Sequence, residues 1–199
     1  MYVETINPVR FRVTGNDLPG FFQGLITNNI NNIKNIDGKL ESFILTRQGK
    51  IKHQITITDN GDCYIVECSN DQSNLGSFLN QYAPLSKVTV ESESIDKDQF
   101  NKEYFLKLLE QGKIDTNFLT QPSLYPAEVN EDLVDYKKGC YVGQEVVARM
   151  KFKQKNKKIV KIFREEQLTA THLPASYKIL SKIDNYVIIK KPKEDEWRY

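Results

Sequence analysis

Lys137, Lys138, Gly139, Cys140, Tyr141, Val142 and Gly143 place one thiol among two lysines and two glycines, directly before the helical pattern of Gln144 to Met150. The reactive form of a cysteine is the thiolate, and nearby cations and a helix N-terminus both favour it. Glycine permits a positive φ or a close approach of backbone, so the spacing predicts a tight loop delivering Cys140 to that helix, with Lys138 favouring the thiolate. Glu145, in the first helical turn, suits the dipole but partly opposes a thiolate. A free cysteine is also a good small apolar filler. Spacing alone leaves both readings open.

Other chemistry-bearing residues carry the same double reading. His53 is in phase with Ile51, Ile55 and Ile57 on the face of a strand that should be buried, where a hydrogen-bonded core histidine competes with a functional one. Glu128 and Asn130 lie in the proline-stiffened "PAEVN" and suit either loop capping or a polar ligand. From Arg149 to Lys161 there is no acidic residue, which reads as a solvated basic face or as a surface for anions such as RNA phosphates. His172 sits in a polar loop, and Trp197 in a charged tail.

The chain of 199 residues is long enough for one large domain or two small ones. A formal charge of +2 argues for no nucleic acid by itself. Three cysteines without a C-x-x-C pair argue against a disulfide framework and an all-cysteine zinc site. Cys63 and Cys68 in "CYIVEC" read as core. The start has no signal-peptide character, and no run is long enough to span a bilayer, which predicts a cytoplasmic protein without a membrane.

The elements that must position these groups follow from periodicity. Strands are predicted at 9–13, in "ESFILT" and "IKHQITIT" around the turn "RQGK", in "CYIVEC" and at 86–91. An Asp17-capped helix should carry Leu18, Phe21, Phe22, Leu25 and Ile26, and a second helix should carry Leu75, Phe78, Leu79 and Tyr82 until Pro84 ends it. The order β-α-β-β-β-α-β predicts an α+β unit with helices on one face of a mainly antiparallel sheet. A helix follows at about 99–111, capped by Asp96 or Asp98 and stopped by Gly112. After an irregular stretch and the helix "QEVVARM", three short strands make a small sheet. The expected units are 1–95, 96–150 and 151–199.

"KKGCYVGQEVVAR" resembles the K-G-C-Y-x-G-Q-E signature of the YgfZ family. Upstream, "VTGNDLPGFFQGLITNNINNI", "ILTRQGKI" and "LYPAEVNEDL" are similar, in order, to further segments of that family, so the resemblance runs over about residues 9–150. It implies a T-protein (aminomethyltransferase)-like folate-binding fold with a reduced C-terminal β segment, and tetrahydrofolate as ligand. The implied role is assembly or repair of iron–sulfur clusters, including those of tRNA-modifying enzymes, with client or assembly proteins as partners. By the same resemblance Cys140 is the working thiol and Lys138 its helper. Any cluster contact would be transient, since one cysteine supplies one of about four ligands. Glu128 becomes the pterin partner with Asn130 beside it, while Tyr141, Gln144, Glu145, Arg149 and His53 border the ligand. Two positions depart from the pattern. Leu108 stands where an arginine is expected, and His53 and Gln54 stand where related aminomethyltransferases carry two aspartates. That argues against aminomethyl transfer, which is kept as an alternative beside a tRNA- or partner-binding module.

Overall fold

Strand β1 (Val9–Gly15) turns at Asp17, whose side chain accepts from the Gly20 amide at 2.8 Å and starts helix α1 (Leu18–Gln23). The computed structural model describes residues 6–35, 37–119, 123–153, 158–168 and 173–193. Helix α1 is shorter than its apolar periodicity predicts. It is capped at Gly24, and Ile26 instead forms an isolated bridge with Ile44. Leu25 and Ile26 still bury their side chains with Phe21 and Phe22.

Strands β2 (Lys39–Leu45), β3 (Ile51–Asp59) and β4 (Tyr64–Cys68) follow. Helix α2 (Leu75–Ser86) comes next and β5 (Val88–Glu93) completes the sheet. The strand order is β2-β3-β4-β1-β5, with every neighbouring pair antiparallel. Pro84 does not end α2. Its missing N–H costs one bond in the last turn, and the helix runs on to Ser86 before the chain leaves through Lys87 at φ 52°.

Alternation divides this sheet into two chemically different faces. Leu40, Ile44, Ile55, Ile57 and Val66 point toward α1 and α2 and form a closed apolar core with Phe22 and Leu79. Lys39, Glu41, Gln54, Thr56 and Glu67 share the opposite face, as their cross-strand pairing requires.

Helix α3 (Lys102–Glu110) crosses near this second face. Asn101 caps it, accepting from the Tyr104 amide, while Asp96 caps only the preceding 3-10 turn. Its end is a Schellman motif: the Lys113 amide donates to Leu108 and the Gly112 amide to Leu109, with Gly112 at φ 72°. Two short elements, α4 (Pro126–Val129) and α5 (Gln144–Phe152), lead to β6 (Lys158–Arg164), β7 (Lys178–Ile183) and β8 (Tyr186–Pro192). The last three form an antiparallel sheet in the order β6-β8-β7. A second core joins Phe43 and Leu45, Phe105 and Phe118 to Val160 and Ile188 of this small sheet. The architecture is α+β. Among the described residues no helix is long and apolar enough to cross a membrane.

Candidate functional site

Between the polar face of the large sheet, α3 and β6 lies a cavity of about 1260 Å³. Its polar wall comes from β2, β3 and β4 through Glu41, Gln54, Thr56 and Glu67, and from Ser69 just after β4. Its apolar wall comes from Phe100, Tyr104, Leu108 and Ile114, with Ile159 and Ile162 of β6. Lys39, Lys113 and Lys161 also line it.

Part of the polar wall is a fixed hydrogen-bond network. Asp115 is buried; its Oδ2 accepts from Ser69 Oγ at 2.5 Å and its Oδ1 from the Asn117 amide at 3.0 Å. The Asn117 side chain is held in turn by the backbone of Gln54, whose amide donates to Oδ1 and whose carbonyl accepts from Nδ2. Gln54 Oε1 accepts from the Thr116 amide and hydroxyl. Glu67 is paired with Arg10 at 2.6 Å. Burial pushes the Asp115 carboxyl up to about 6, against the lowering effect of the bonds from Ser69 and Asn117.

The cysteine loop is built differently. Gly143 caps α5 at φ 83°, and a Cβ there would stand 2.5 Å from the Thr46 carbonyl oxygen. Gly49 of the β2–β3 turn, at φ 75°, is in the same contact from the other side, with Val146 2.9 Å from an added Cβ. These two glycines let the hairpin turn and the start of α5 touch. Gly139 has no such need, since a Cβ there would meet open space. Cys140 is a free, exposed thiol. Three residues separate it from the first residue of α5, so it is not the cap of that helix.

Lys138 does not serve the thiol as expected. Its ammonium is buried and donates to the carbonyls of Ile26 at 2.7 Å and Asn28 at 2.9 Å, with the Tyr141 ring 5.0 Å away. Burial lowers its affinity for a proton, to a pKa of about 8. Because Asn28 lines the cavity, Lys138 ties the cysteine loop to the cavity wall.

Glu128, expected to reach a ligand, caps α4 and forms an ion pair instead. It accepts from the Tyr125 amide and takes Lys190 at 2.7 Å, and it is not among the cavity-lining residues. Burial makes an ionised carboxylate costly, and Lys190 with the Tyr125 amide offsets that cost. Tyr141 packs into the second core, burial raising its hydroxyl to about 12. Glu145 and Arg149 pair with each other across one turn at the surface, and Gln144 is half-buried outside the cavity. His53 faces the closed core: its Nδ1 is 3.7 Å from Asp71, its Nε2 has no hydrogen-bond partner, and desolvation lowers it to about 4. Of the expected ligand residues, Asn130 lines the cavity, as do Gln54 and Leu108. Sequence reasoning misses Asp115 and Ser69, and reads Tyr104 only as part of a helical stripe with Phe100 and Leu108. The one signal for Asp115 is its place three residues after the helix-stopping Gly112. Cys63 and Cys68 are both buried, as expected. His172, Trp197, Lys155 and Lys157 lie outside the described residues.

No protein-family model matches the chain. Over 105 residues it is 28% identical to a tRNA-modifying protein YgfZ of Blochmanniella pennsylvanica (strain BPEN), a stretch that covers 51% of this chain. The matched stretch spans 32% of that relative, about a third of its length. Among solved structures it is similar to the aminomethyltransferase T of the glycine cleavage system from Bartonella henselae. That likeness has 17% identity and a TM-score of 0.38, over 43% of this chain and 24% of the other. The chain is YgfZ-like in sequence.

Proposed function

We propose that this chain is a cytosolic folate-binding accessory protein. Reduced folate occupies the cavity between the two sheets, and Cys140 supports the assembly or repair of iron–sulfur clusters, including those of tRNA-modifying enzymes. The observation that carries the reading is the division of the cavity into a hydrogen-bonding wall, an apolar wall and lysines. Folate has the matching three parts: a pterin rich in N–H groups, an aromatic ring and an anionic glutamate. Ligand pockets of about 300–1,000 Å³ suit drug-sized molecules, so about 1260 Å³ leaves room for folate with water. Gln54 and Asn130 would take the head, Leu108 and Tyr104 the ring, and Lys39, Lys113 or Lys161 the tail. Similarity to a protein named as tRNA-modifying YgfZ supports the same reading.

An accessory role is favoured over one-carbon transfer because β3 presents Gln54 to the cavity and turns His53 into the core. Neither is a carboxylate where the related transferases carry aspartates. Cys140 is exposed and free, as a thiol that meets a partner protein must be. It supplies one of the roughly four ligands that a cluster needs, so the client or an assembly protein must hold the rest.

The test is complementation. Cys140→Ala should fold normally and fail to restore a cluster-dependent enzyme in cells lacking the protein; full restoration would overturn the role of Cys140.

RNA binding is a second reading, favoured by Phe152. Its ring is 72% exposed, stands edge-on to Tyr136 at 6.1 Å, and is flanked by Lys151 and Lys153. It requires affinity for tRNA that falls steeply with salt and drops when these lysines are neutralised. Salt-independent binding, or none, excludes it.

A further inference from the structure

We propose that Asp115 is the specificity carboxylate of the cavity, receiving the adjacent ring N–H and exocyclic amino group of a 2-amino-4-oxo heterocycle. The ligand class rests on the folate reading, because the pterin head carries this edge.

A carboxylate recognises two parallel N–H donors when it is held in place and both oxygens keep a free lone pair. On Asp115, Ser69 Oγ donates to one oxygen and the Asn117 amide to the other, with the Asn117 side chain adding a further interaction; a carboxylate offers about four acceptor sites, so capacity remains on it. Asn117 is itself locked by Gln54 and by Ser69 Oγ at 3.1 Å, so the group cannot swing. Asp115 lines the cavity between Ser69 and Gln54 on one side and Tyr104 and Ile114 on the other. A flat ring entering there would have apolar surface on its faces and the carboxylate at its edge.

Charge points the same way. Among the described residues no cation pairs with Asp115, and Glu41 faces it from β2. Glu67 of β4 is neutralised by Arg10, Tyr104 faces the same space from α3, and Lys113 lies two residues earlier in the chain. Burial with Glu41 holds the carboxyl at about 6. A donor-rich edge would therefore stabilise the ionised form, which no cation among the described residues pairs with. The other buried candidate, Glu128, is closed to this role because Lys190 and the Tyr125 amide already occupy it.

The experiment is calorimetric titration of the full chain with 5-formyltetrahydrofolate, pterin, p-aminobenzoylglutamate and guanosine, whose base carries the same edge as pterin. Asp115→Asn should weaken 5-formyltetrahydrofolate and pterin at least tenfold and leave p-aminobenzoylglutamate unchanged. Pterin affinity of the parent should fall below about pH 6, and this dependence should vanish in Asp115→Asn. Ser69→Ala keeps the carboxylate but removes a bond that lowers its pKa, so its pH midpoint should move upward. A parent that binds folate, with both variants matching it in affinity and pH profile, overturns the role of Asp115 and leaves the folate reading intact. A parent that ignores folate but binds guanosine through Asp115 overturns the folate reading and keeps this one. Binding of none of the four probes overturns both.

Discussion

The two faces of the five-stranded sheet are made by the same strands and serve opposite ends. Toward α1 and α2, the large apolar side chains of β2–β4 close the space almost completely. Toward β6, Lys39, Glu41, Gln54, Thr56 and Glu67 leave a space open at about 1260 Å³, while Phe43 and Leu45 at the far end of β2 join the second core. One face is therefore closed along its length, while the other divides between a second core and an open cavity. Neighbouring residues such as His53 and Gln54 belong to different regions although they are adjacent in sequence.

The largest break in that comparison should come from the closed face. Phe22→Ala removes a fully buried ring and should cost about 3–5 kcal/mol in chemical denaturation. Thr56→Ala, on the cavity face, should stay within about 0.5 kcal/mol. Equal losses at both positions would mean that the cavity wall is part of the core.

Next in size is the strut between the faces. Lys138→Met leaves the Ile26 and Asn28 carbonyls without their buried donor and should cost about 2–3 kcal/mol. Cys140→Ala, two residues on and exposed, should change stability by no more than about 0.5 kcal/mol. The two variants thus separate a residue that holds the loop from the residue that the loop presents.

A third effect sets the faces against each other in pH. His53 is held at about 4 in the fold, below its ordinary 6.5, so the unfolded chain takes up this proton first. Its contribution is present above about 6.5 and is lost as pH falls toward 4. Asp115 has the opposite sign: held at about 6 against an ordinary 3.8, it stabilises below 3.8 and that contribution is lost as pH rises through 6. Each should amount to roughly 1–3 kcal/mol. Denaturation midpoints between pH 4 and 6.5 should therefore fall more steeply on acidification in Asp115→Asn than in the parent, and less steeply in His53→Leu. Identical slopes in all three would remove both assignments.

The sequence made the first face legible and the second only in part. Apolar periodicity located β1–β5, α2 and α3, and the in-phase isoleucines placed His53 in the core, because burial imprints itself on alternation. Helix α1 is shorter than its apolar spacing suggests because the pairing of Ile26 with Ile44 is a tertiary event that its apolar face does not reveal. The cavity depends on which distant segments meet. Asp115 joins Ser69 only after the chain returns past α3, and Glu128 was drawn away by Lys190, more than sixty residues later. Lys138 shows the same limit. Its neighbour in sequence is a cysteine, but its partners in space are carbonyls about 110 residues upstream.

The central claim, that the open face takes a reduced folate, is tested most directly by calorimetric titration with tetrahydrofolate under reducing conditions. The parent should be compared with Leu108→Trp, which places a large ring in the cavity. A saturable one-to-one heat in the parent that is lost in Leu108→Trp, with the fold intact, is the predicted result. No saturable heat in the parent, or the same affinity in both proteins, would contradict it.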